Sequence, residues 1–260
     1  MSTVNRRKLR IIDLSVTMKS KAGGLTGMQI SYENHEESAQ AAAPHLGLKP
    51  SDFPDGKFAA NEKVTLSTHS GTHLDASWHY GPTTAGKPAK TIEEIPLEWC
   101  YGDGVVLDFI HKKRGESITL KDIQEALSRI QYKIKPFDIV LIRTDASKFY
   151  GRQGYETKHP GMGRESTAWL IDQGVKVMGI DAWGWDRPLG VLMQEIKERG
   201  DKSIFWAGHF VGKEKEYCHL ENLANLDQLP RPFGFKVAVF PIKIDRASSG
   251  WVRAVAILGE

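Results

Sequence analysis

The chain has 260 residues, of which 40% are apolar and 26% are charged, and its formal net charge is only +3. This length and composition are typical of a globular protein with a substantial core, and the scattered basic residues give no electrostatic case for nucleic-acid binding. No stretch approaches the roughly 18 apolar residues of a membrane span, and the basic start lacks the apolar run of a signal peptide.

The cysteine count also restricts the class of protein. Cys100 and Cys218 are too few for a disulfide framework. Without an export signal, we expect two reduced thiols in a cytoplasmic protein. We further expect one domain over residues 1–260, because no internal repeat, low-complexity segment or change of composition marks a boundary.

Hydrophobic patterns predict strands and helices that alternate through the middle of the chain. The predicted strands are residues 10–16, 63–68, 105–109, 138–143, 175–181, 203–207, 235–244 and 251–258. The predicted helices are residues 36–43, a segment that starts after the N-cap Thr119 and buries Ile123, Leu127 and Ile130, residues 165–174 and residues 189–199. This order favours an α/β domain with a mixed sheet.

Residues 17–62 form the least regular part of the sequence, rich in Gly, Ser, Pro and polar residues. Median loops have only about 4–6 residues, so a connection this long is expected to have a function, such as covering a pocket. We interpret His35 and His45, which lie in this segment, as surface histidines.

Three histidines and one carboxylate lie between residues 69 and 79 (His-Ser-Gly-Thr-His-Leu-Asp-Ala-Ser-Trp-His). His73 and Asp75 are two residues apart and would face the same side of an extended chain. The Gly-Thr dipeptide before them favours a turn that brings His69 back towards His73. Two imidazoles and a carboxylate suit zinc, manganese or iron. The alternative is a set of hydrogen-bonded polar residues on a turn.

Other residues are candidates to complete such a site. His79 is either a further ligand or an acid/base, since the pKa of histidine lies near neutrality. Further along the chain, His209 and Glu221 would complete a first metal site or build a second, although a buried ion pair or a surface charge explains Glu221 equally well. His219 and Cys218 are rival ligands, and Cys218 is better explained by packing near a helix start.

Tryptophans give a second signal. Trp78 lies inside the central stretch, and Trp183 and Trp185 follow a predicted strand, where pockets of α/β sheets gather. Indoles beside a metal would form a flat apolar slot for an aromatic or cyclic substrate. Core packing is the alternative for each. The absence of G-x-S-x-G, Walker and dinucleotide-binding motifs argues against serine hydrolases, NTPases and dehydrogenases.

Residues 69–79 resemble the H-x-G-T-H-x-D-x-P-x-H signature of the cyclase family, metal-dependent hydrolases that include bacterial kynurenine formamidase and isatin hydrolase. Residues 13–15 (Asp-Leu-Ser) resemble the family's opening strand, and residues 179–181 (Gly-Ile-Asp) resemble its inner strand. His209 with Glu221 resembles its downstream metal-binding pair. The resemblance implies a swivelling β/β/α domain with a mixed central sheet, assembled as a homodimer or homotetramer.

The resemblance also implies roles for the candidate residues and one or two divalent ions, Mn²⁺ or Zn²⁺. The implied metal ligands are His69, His73 and Asp75, with His209 and Glu221 as ligands of a second metal or as supporting and catalytic groups. His79 would be the acid/base. The family's proline is Ser77 here, and because proline would fix the bend before His79, serine leaves that bend less constrained.

The implied reaction is hydrolysis of a C–N bond, with isatin, a cyclic amide fused to an aromatic ring, as the first substrate. Metal-activated water would attack the carbonyl, His79 would move the proton, and the three tryptophans would stack on the ring. The aromatic surroundings and residues 218–251 resemble isatin hydrolases more than formamidases. N-formylkynurenine and lactones remain alternative substrates, and a non-catalytic small-molecule binding protein with a structural metal remains an alternative class.

Overall fold

The computed structural model describes residues 9–20 and 27–259. The basic start (residues 1–8), six residues of the irregular segment (21–26) and the last residue lie outside the described residues. The described helices are α1 (His35–Leu46), α2 (Ser77–Tyr80), α3 (Leu120–Arg129), α4 (Arg164–Asp172) and α5 (Leu189–Arg199). None of these helices is long and apolar enough to cross a membrane.

The described part of the chain contains fifteen strands. They are β1 (Arg10–Asp13), β2 (Met28–Glu33), β3 (Asn61–Leu66), β4 (His73–Asp75), β5 (Thr83–Thr84), β6 (Lys87–Pro88), β7 (Tyr101–Asp108), β8 (Ser117–Ile118), β9 (Ile139–Arg143), β10 (Gly161–Met162), β11 (Val177–Ile180), β12 (Cys218–Glu221), β13 (Phe233–Ala238), β14 (Ser249–Trp251) and β15 (Val255–Leu258).

Nine strands form one mixed sheet in the order β1-β15-β13-β7-β9-β11-β12-β4-β14. The four central strands β7, β9, β11 and β12 run parallel, and the remaining pairs are antiparallel. The parallel pairs need crossover connections, which α3, α4 and α5 supply in chain order. The mixed α/β fold expected from the alternation of strands and helices is therefore confirmed.

Strand β9 explains why the sheet is buried on both faces. Ile139 and Leu141 belong to one hydrophobic cluster, whereas Val140 and Ile142 belong to another on the opposite face. Side chains alternate between the faces of a strand, so a continuous apolar run fits a strand with a core on each side.

Helix α3 matches its sequence prediction closely. Thr119 caps the helix by accepting a hydrogen bond from the backbone N–H of Asp122, whose carboxylate accepts one from the Thr119 N–H at 2.7 Å. Ile123 and Leu127 are buried, as the pattern predicts, while Ile130 lies at the C-cap and is only partly buried. This reciprocal cap satisfies two backbone donors that have no partner within the helix.

Several predicted elements are wrong. Residues 203–207 do not form a strand: a 3₁₀ turn (Lys202–Ile204) and further turns replace it, and its aromatic side chains are not in the sheet. Cys218 begins strand β12 rather than lying near a helix start. The predicted strand 235–244 ends at Ala238, after which Pro241, which has no N–H to donate to a ladder, makes only an isolated bridge.

The segment before the central stretch also differs from its prediction. Strand β3 exists, but it pairs only with β2, and nearly all its side chains are exposed rather than half-buried. The predicted last strand, 251–258, is two separate strands, β14 and β15. The alternation of apolar and polar residues therefore identified extended chain in these regions, but it did not show which faces of the strands are covered by other parts of the protein.

The register of three short strands positions the side chains of the central stretch. Strand β12 pairs with β4 so that His219 lies opposite Asp75 and Glu221 lies opposite His73. Directly opposed residues point to the same face of a sheet, so these four side chains gather on one face. Strand β14 borders β4 on its other side.

Candidate metal centre and its cavity

The turn before β4 brings the first three candidate ligands together. Gly71 adopts a φ of +66°, which glycine reaches without strain and which folds His69 back towards β4. His69 Nδ1 lies 2.9 Å from Asp75 Oδ1, and His73 Nε2 lies 3.4 Å from the same oxygen. The turn and the shared face that the sequence predicts are both present. We call His69, His73 and Asp75 the three-ligand group.

A second cluster of candidate metal ligands shares Asp75 and extends from β4 to the neighbouring strand β12. His219 Nε2 is 3.2 Å from Asp75 Oδ2 and 3.4 Å from Glu221 Oε1. His209, at the start of a 3₁₀ turn, brings its Nε2 to 3.6 Å from Glu221 Oε1. The ligand atoms of Asp75, His209, His219 and Glu221 lie within 4.8 Å of one another. We call these residues the four-ligand group.

His219 is part of this centre, although from its sequence it was only a rival candidate for a metal ligand. It lies two residues before Glu221, the same spacing that places His73 and Asp75 on one face of β4. Reading residues 218–221 as a strand rather than as the start of a helix reveals this alternation. Sequence reasoning therefore missed His219 because it assigned the wrong type of secondary structure to this segment, not because the residue types were unsuitable.

Protein acceptors fix the outer nitrogens of two histidines. His73 Nδ1 lies 2.9 Å from the Gly71 carbonyl, and His209 Nδ1 lies 2.5 Å from Asp186 Oδ2. Because a carbonyl or carboxylate only accepts, each Nδ1 must carry the proton, and each Nε2 then presents its lone pair to the centre. Asp186 is itself fixed by the backbone N–H groups of Gly208 and His209. Metal-binding histidines commonly have such partners.

Buried atoms at the centre fit a divalent ion. His73 Nε2, His219 Nε2 and both carboxylate oxygens of Asp75 are buried and have no hydrogen-bond partner among the described residues. Buried polar atoms are almost always paired, and lone pairs that converge on carboxylate oxygens repel one another unless a positive charge lies between them. Imidazole and carboxylate donors are those that zinc and manganese accept.

The carboxylates at the centre favour their charged form. Burial would raise the pKa of Asp75, but the surrounding histidines, His79 and His73 first among them, hold it well below its usual range. Burial acts in the same direction on Glu221, yet its contact with His219 contributes most to lowering its pKa to about 2. The centre therefore supplies two carboxylates that are anionic at neutral pH.

His79 lies beside the ligand groups but belongs to neither. Its ring is 4.2 Å from that of His69, and its Nε2 is 3.8 Å from Asp75 Oδ2. Burial lowers the pKa of His79 to about 4, even though the Asp75 carboxylate favours the proton. Its imidazole is therefore neutral at pH 7 and able to accept a proton.

The bend before His79 is held by hydrogen bonds, although Ser77 stands where the resemblance expects proline. The Ala76 N–H donates to the Ser248 carbonyl at 2.9 Å, and the Trp78 N–H donates to the Lys90 carbonyl at 2.9 Å. The Ser77 hydroxyl adds a longer bond of 3.4 Å to the Tyr217 carbonyl. Neighbouring loops thus supply the constraint that a proline ring would otherwise give.

A cavity of about 160 Å³ opens onto the centre. One wall consists of His69, His79, His209 and Glu221, and the remaining lining residues are His159, Trp183, Gly184, Asp186, Arg187, Pro188, Leu189 and Trp206. A small, largely apolar space beside polar groups that converge on one point is typical of a small-molecule site.

The three predicted substrate-binding tryptophans lie at three different positions relative to the cavity. Trp183 lines the cavity. Trp185 is fully buried behind the centre, where it stacks on His219 at 5.1 Å and its backbone N–H donates to Glu221 Oε1. Trp78 is 45% exposed on α2 and is not among the residues that line the cavity. The sequence prediction of substrate contact therefore does not fit the positions of Trp78 and Trp185.

Trp206, which the sequence did not single out, lines the cavity instead. Its ring stacks on His209 with centroids 4.5 Å apart and planes 13° apart. Its backbone has a φ of +47°, which belongs to a turn rather than to the strand that was predicted there. The sequence offered one signal for this role: Trp206 lies three residues before the candidate ligand His209.

Comparisons with known proteins identify the family of the chain. The model of the Cyclase family matches residues 12–187, more than half of the chain. The kynurenine formamidase of Paracidovorax citrulli (strain AAC00-1) is 28% identical over 192 residues, which are 74% of this chain and 77% of that protein. The isatin hydrolase of Roseibium aggregatum is 25% identical over 215 residues, 78% of this chain and 77% of that protein.

Solved structures give the same fold. The crystal structure of an isatin hydrolase bound to the product analogue thioisatinate superposes with a TM-score of 0.77 at 19% identity, covering 97% of this chain and 93% of that one. Isatin hydrolase A from Ralstonia solanacearum gives a TM-score of 0.75 at 22% identity, covering 96% and 92%. At these identities the likeness establishes the shared fold.

Proposed function

The chain belongs to the Cyclase family, and from that premise we propose that it is a metal-dependent hydrolase that opens a cyclic amide fused to an aromatic ring, as in isatin. The observation that carries the proposal is a neutral imidazole, His79, between a cluster of metal-ligand side chains and a small cavity with aromatic walls. These parts are a site for an ion, a group that moves protons and a pocket for a ring.

The three-ligand group would hold a catalytic divalent ion. Such an ion lowers the pKa of water, for zinc to about 7, and polarises a carbonyl group. Zinc and manganese are the proposed ions, because both accept imidazole together with carboxylate. His69, His73 and Asp75 would fix the position of that ion, and their buried surroundings would limit competing water.

His79 would move the proton during ring opening. Its Nε2 lies 3.8 Å from Asp75 Oδ2 and its ring is part of the cavity wall, so it would lie between water at the ion and a substrate in the cavity. The pKa of about 4 leaves the imidazole unprotonated at pH 7, and in that form it would take a proton from water and return it to the nitrogen as the C–N bond breaks.

The cavity supports a compact, neutral and flat substrate. Trp183 and Trp206 give it aromatic walls. Its two charged lining residues outside the ligand groups are already paired: Asp186 accepts from His209, and Arg187 contacts Glu195 at 2.8 Å. An amino-acid head group, with one positive and one negative charge, would need partners that these paired side chains do not offer.

Arylformamidase activity on N-formylkynurenine is the second candidate, favoured by the 28% identity to a kynurenine formamidase. A lactone is the third substrate class, because the same chemistry opens a cyclic ester. A metal-containing binding protein is the non-enzymatic alternative. It would need no proton carrier beside the ligand groups, and His79 at that position supports an enzyme.

A substrate panel tests the proposal. Metal-restored protein and a His79→Gln variant are assayed with isatin, N-formylkynurenine and an aromatic lactone, and the products are identified by mass spectrometry. The expected result is fastest turnover of isatin to the ring-opened acid and a large loss in the variant. Turnover of N-formylkynurenine alone would assign arylformamidase activity. No turnover of any substrate by metal-loaded protein would favour the binding protein.

We also propose assembly as a homodimer or homotetramer, on the basis of the family resemblance. Size-exclusion chromatography with light scattering measures the mass of the assembly directly. A monomer at assay concentration would contradict this part of the proposal.

A further inference from the structure

We propose that Trp206 limits the size of the substrate, because its indole and the turn that carries it separate the cavity at the candidate metal centre from a second cavity. The indole would exclude a cyclic amide whose fused ring bears a bulky substituent, such as a phenyl group. This inference rests on the proposed function, since it names the size class of substrate that the same site accepts.

The second cavity lies next to the cavity at the metal centre, which we call the first cavity. Asp186 and Arg187 line both cavities, so the two spaces are adjacent. The second cavity has a volume of about 290 Å³, compared with about 160 Å³ for the first. Leu120, Met162 and Leu192 give it apolar surface. An apolar substituent that extended from the first cavity into the second would therefore find a suitable wall there.

One turn forms the partition between the two cavities. Trp206 lines the first cavity, whereas Ser203, Ile204 and Ala207 line the second. In an extended strand, Ile204 and Trp206 would point to the same face, because side chains alternate. The left-handed backbone of Trp206, with a φ of +47°, breaks this alternation and directs the indole away from Ile204. The backbone conformation of this turn therefore decides which cavity the indole fills.

Contacts on both sides hold the indole of Trp206 in place. Its ring stacks on His209 with centroids 4.5 Å apart, and Phe205 stacks with it at 5.8 Å and 15° between the planes. The Phe210 N–H donates to the Trp206 carbonyl at 2.8 Å, and the His209 N–H donates to the Asp186 carboxylate at 2.9 Å. A left-handed non-glycine residue is strained and persists where its surroundings hold it. The indole is therefore a fixed wall.

The indole also stands beside the group proposed to move the proton. The rings of Trp206 and His79 are 5.7 Å apart, and both line the first cavity. A flat ring bound close to His79 would therefore lie against the indole. A bulky substituent directed from that ring towards the second cavity would collide with Trp206, whereas an unsubstituted bicyclic ring would not.

Binding of inert flat ligands tests the inference without hydrolysis. Indole and its phenyl derivatives, substituted at each carbon of the six-membered ring, have no carbonyl group to be attacked. Their affinities for the metal-restored protein are measured by isothermal titration calorimetry. The informative quantity is the ratio of the affinity for each phenylindole to the affinity for indole.

Trp206→Gly is the main variant, because glycine adopts a φ of +47° without strain. Loss of an aromatic wall should weaken the binding of indole itself about tenfold. For at least one phenylindole the ratio should nevertheless rise at least about tenfold above the wild-type ratio, because an additional apolar ring becomes buried. If Trp206 only supported His209, all ligands would weaken alike, and an unchanged ratio for every phenylindole would overturn the inference.

Trp183→Ala is the matched control. Trp183 is the other tryptophan in the lining of the first cavity, but it is not among the described residues that line the second. Its loss should weaken indole and the phenylindoles together and leave the ratios unchanged. A rise in Trp183→Ala as large as that in Trp206→Gly would indicate general enlargement of the first cavity and would contradict a partition at Trp206.

Refilling the second cavity shows where the substituent binds. Ser203 lines that cavity and is exposed, so Ser203→Trp can place a new ring there with little disturbance of the core. The double variant Trp206→Gly/Ser203→Trp should lose the gain for the phenylindoles and keep the indole affinity of Trp206→Gly. A gain that persists would place the substituent elsewhere and refute the inference.

A further variant keeps the test decisive if Trp206→Gly does not fold. Trp206→Leu retains an apolar side chain against His209 but removes most of the indole. It should raise the same ratio by a smaller factor, about threefold or more, since part of the partition remains. Unchanged ratios in this folded variant would count against the inference as they would in the glycine variant.

The two proposals fail separately. A wild-type protein that opens isatin, together with unchanged ratios in Trp206→Gly, would refute the partition and leave the proposed function intact. A protein whose ratio rises in Trp206→Gly, but whose wild type hydrolyses none of the three substrates, would refute the function alone.

Discussion

The three-ligand and four-ligand groups share Asp75 but are built in different ways. The three-ligand group lies within residues 69–75, on a turn and one short strand, and His69 lines the cavity. The four-ligand group instead draws on β12 and on the turn that carries His209, more than a hundred residues later, and His209 and Glu221 line the same cavity. Local sequence thus builds one side of the centre, and strand register builds the other.

Replacement of His79 should give the largest effect, and it should act on catalysis rather than on metal binding. His79→Gln removes the neutral imidazole that accepts the proton, so kcat for ring opening should fall roughly 10²–10⁴-fold. Metal content should stay at the wild-type value, because His79 belongs to neither ligand group. Steady-state kinetics with metal analysis checks this, and an accompanying loss of an ion would make His79 a ligand.

Asp186→Asn should weaken the four-ligand group alone. Asp186 holds the proton of His209 on Nδ1, and an amide in its place can present an N–H and favour the other tautomer. Affinity for one ion should fall about 10–100-fold, while the ion of the three-ligand group is unaffected. Competition with a chromophoric chelator measures both affinities. Equal weakening of both would indicate a general disturbance of the fold.

Substitution of two tryptophans compares the cavity wall with the exposed surface. Trp183→Ala removes an aromatic wall, which is worth about 1–1.5 kcal/mol and should raise KM for isatin about tenfold. Trp78→Ala is the matched control, and because Trp78 is exposed and outside the cavity lining, its KM should stay within about twofold of wild type. A larger effect at Trp78 would restore its predicted role in substrate binding.

Ser77→Pro should have the smallest effect. Ser77 is the first residue of α2, where proline is favoured, and Ala76 before it has the extended conformation (φ −86°, ψ 162°) that proline requires. We expect a change of less than about 1 kcal/mol in the free energy of unfolding, measured by urea denaturation, with Ser77→Ala as the control for the lost hydroxyl. A much larger loss would show that the Ser77 N–H or hydroxyl constrains the bend.

The sequence predicted the local features well. The apolar run of β9, the cap of α3 and the turn at Gly71 each depend on neighbouring residues, and each is present. The proximity of His69, His73 and Asp75 follows from the same local rules. The expected α/β class is correct because alternating strands and helices have few ways to pack.

Features that depend on distant pairing were harder to predict. His219 faces Asp75 only because β12 lies next to β4 in one particular register, which the sequence of neither strand reveals. Trp206 lines the cavity because its segment turns away from the sheet, although its apolar pattern resembles a strand. Periodicity indicates which residues are apolar, but tertiary contacts decide which surface covers them.

The most direct test of the central claim is isatin ring opening before and after metal removal. Protein stripped with a chelator, dialysed and checked by atomic emission is assayed alone and after addition of zinc or manganese. We predict that turnover is lost on stripping and returns with added metal in the wild type, but does not return in His73→Ala. Full turnover by rigorously stripped protein would contradict metal-dependent hydrolysis.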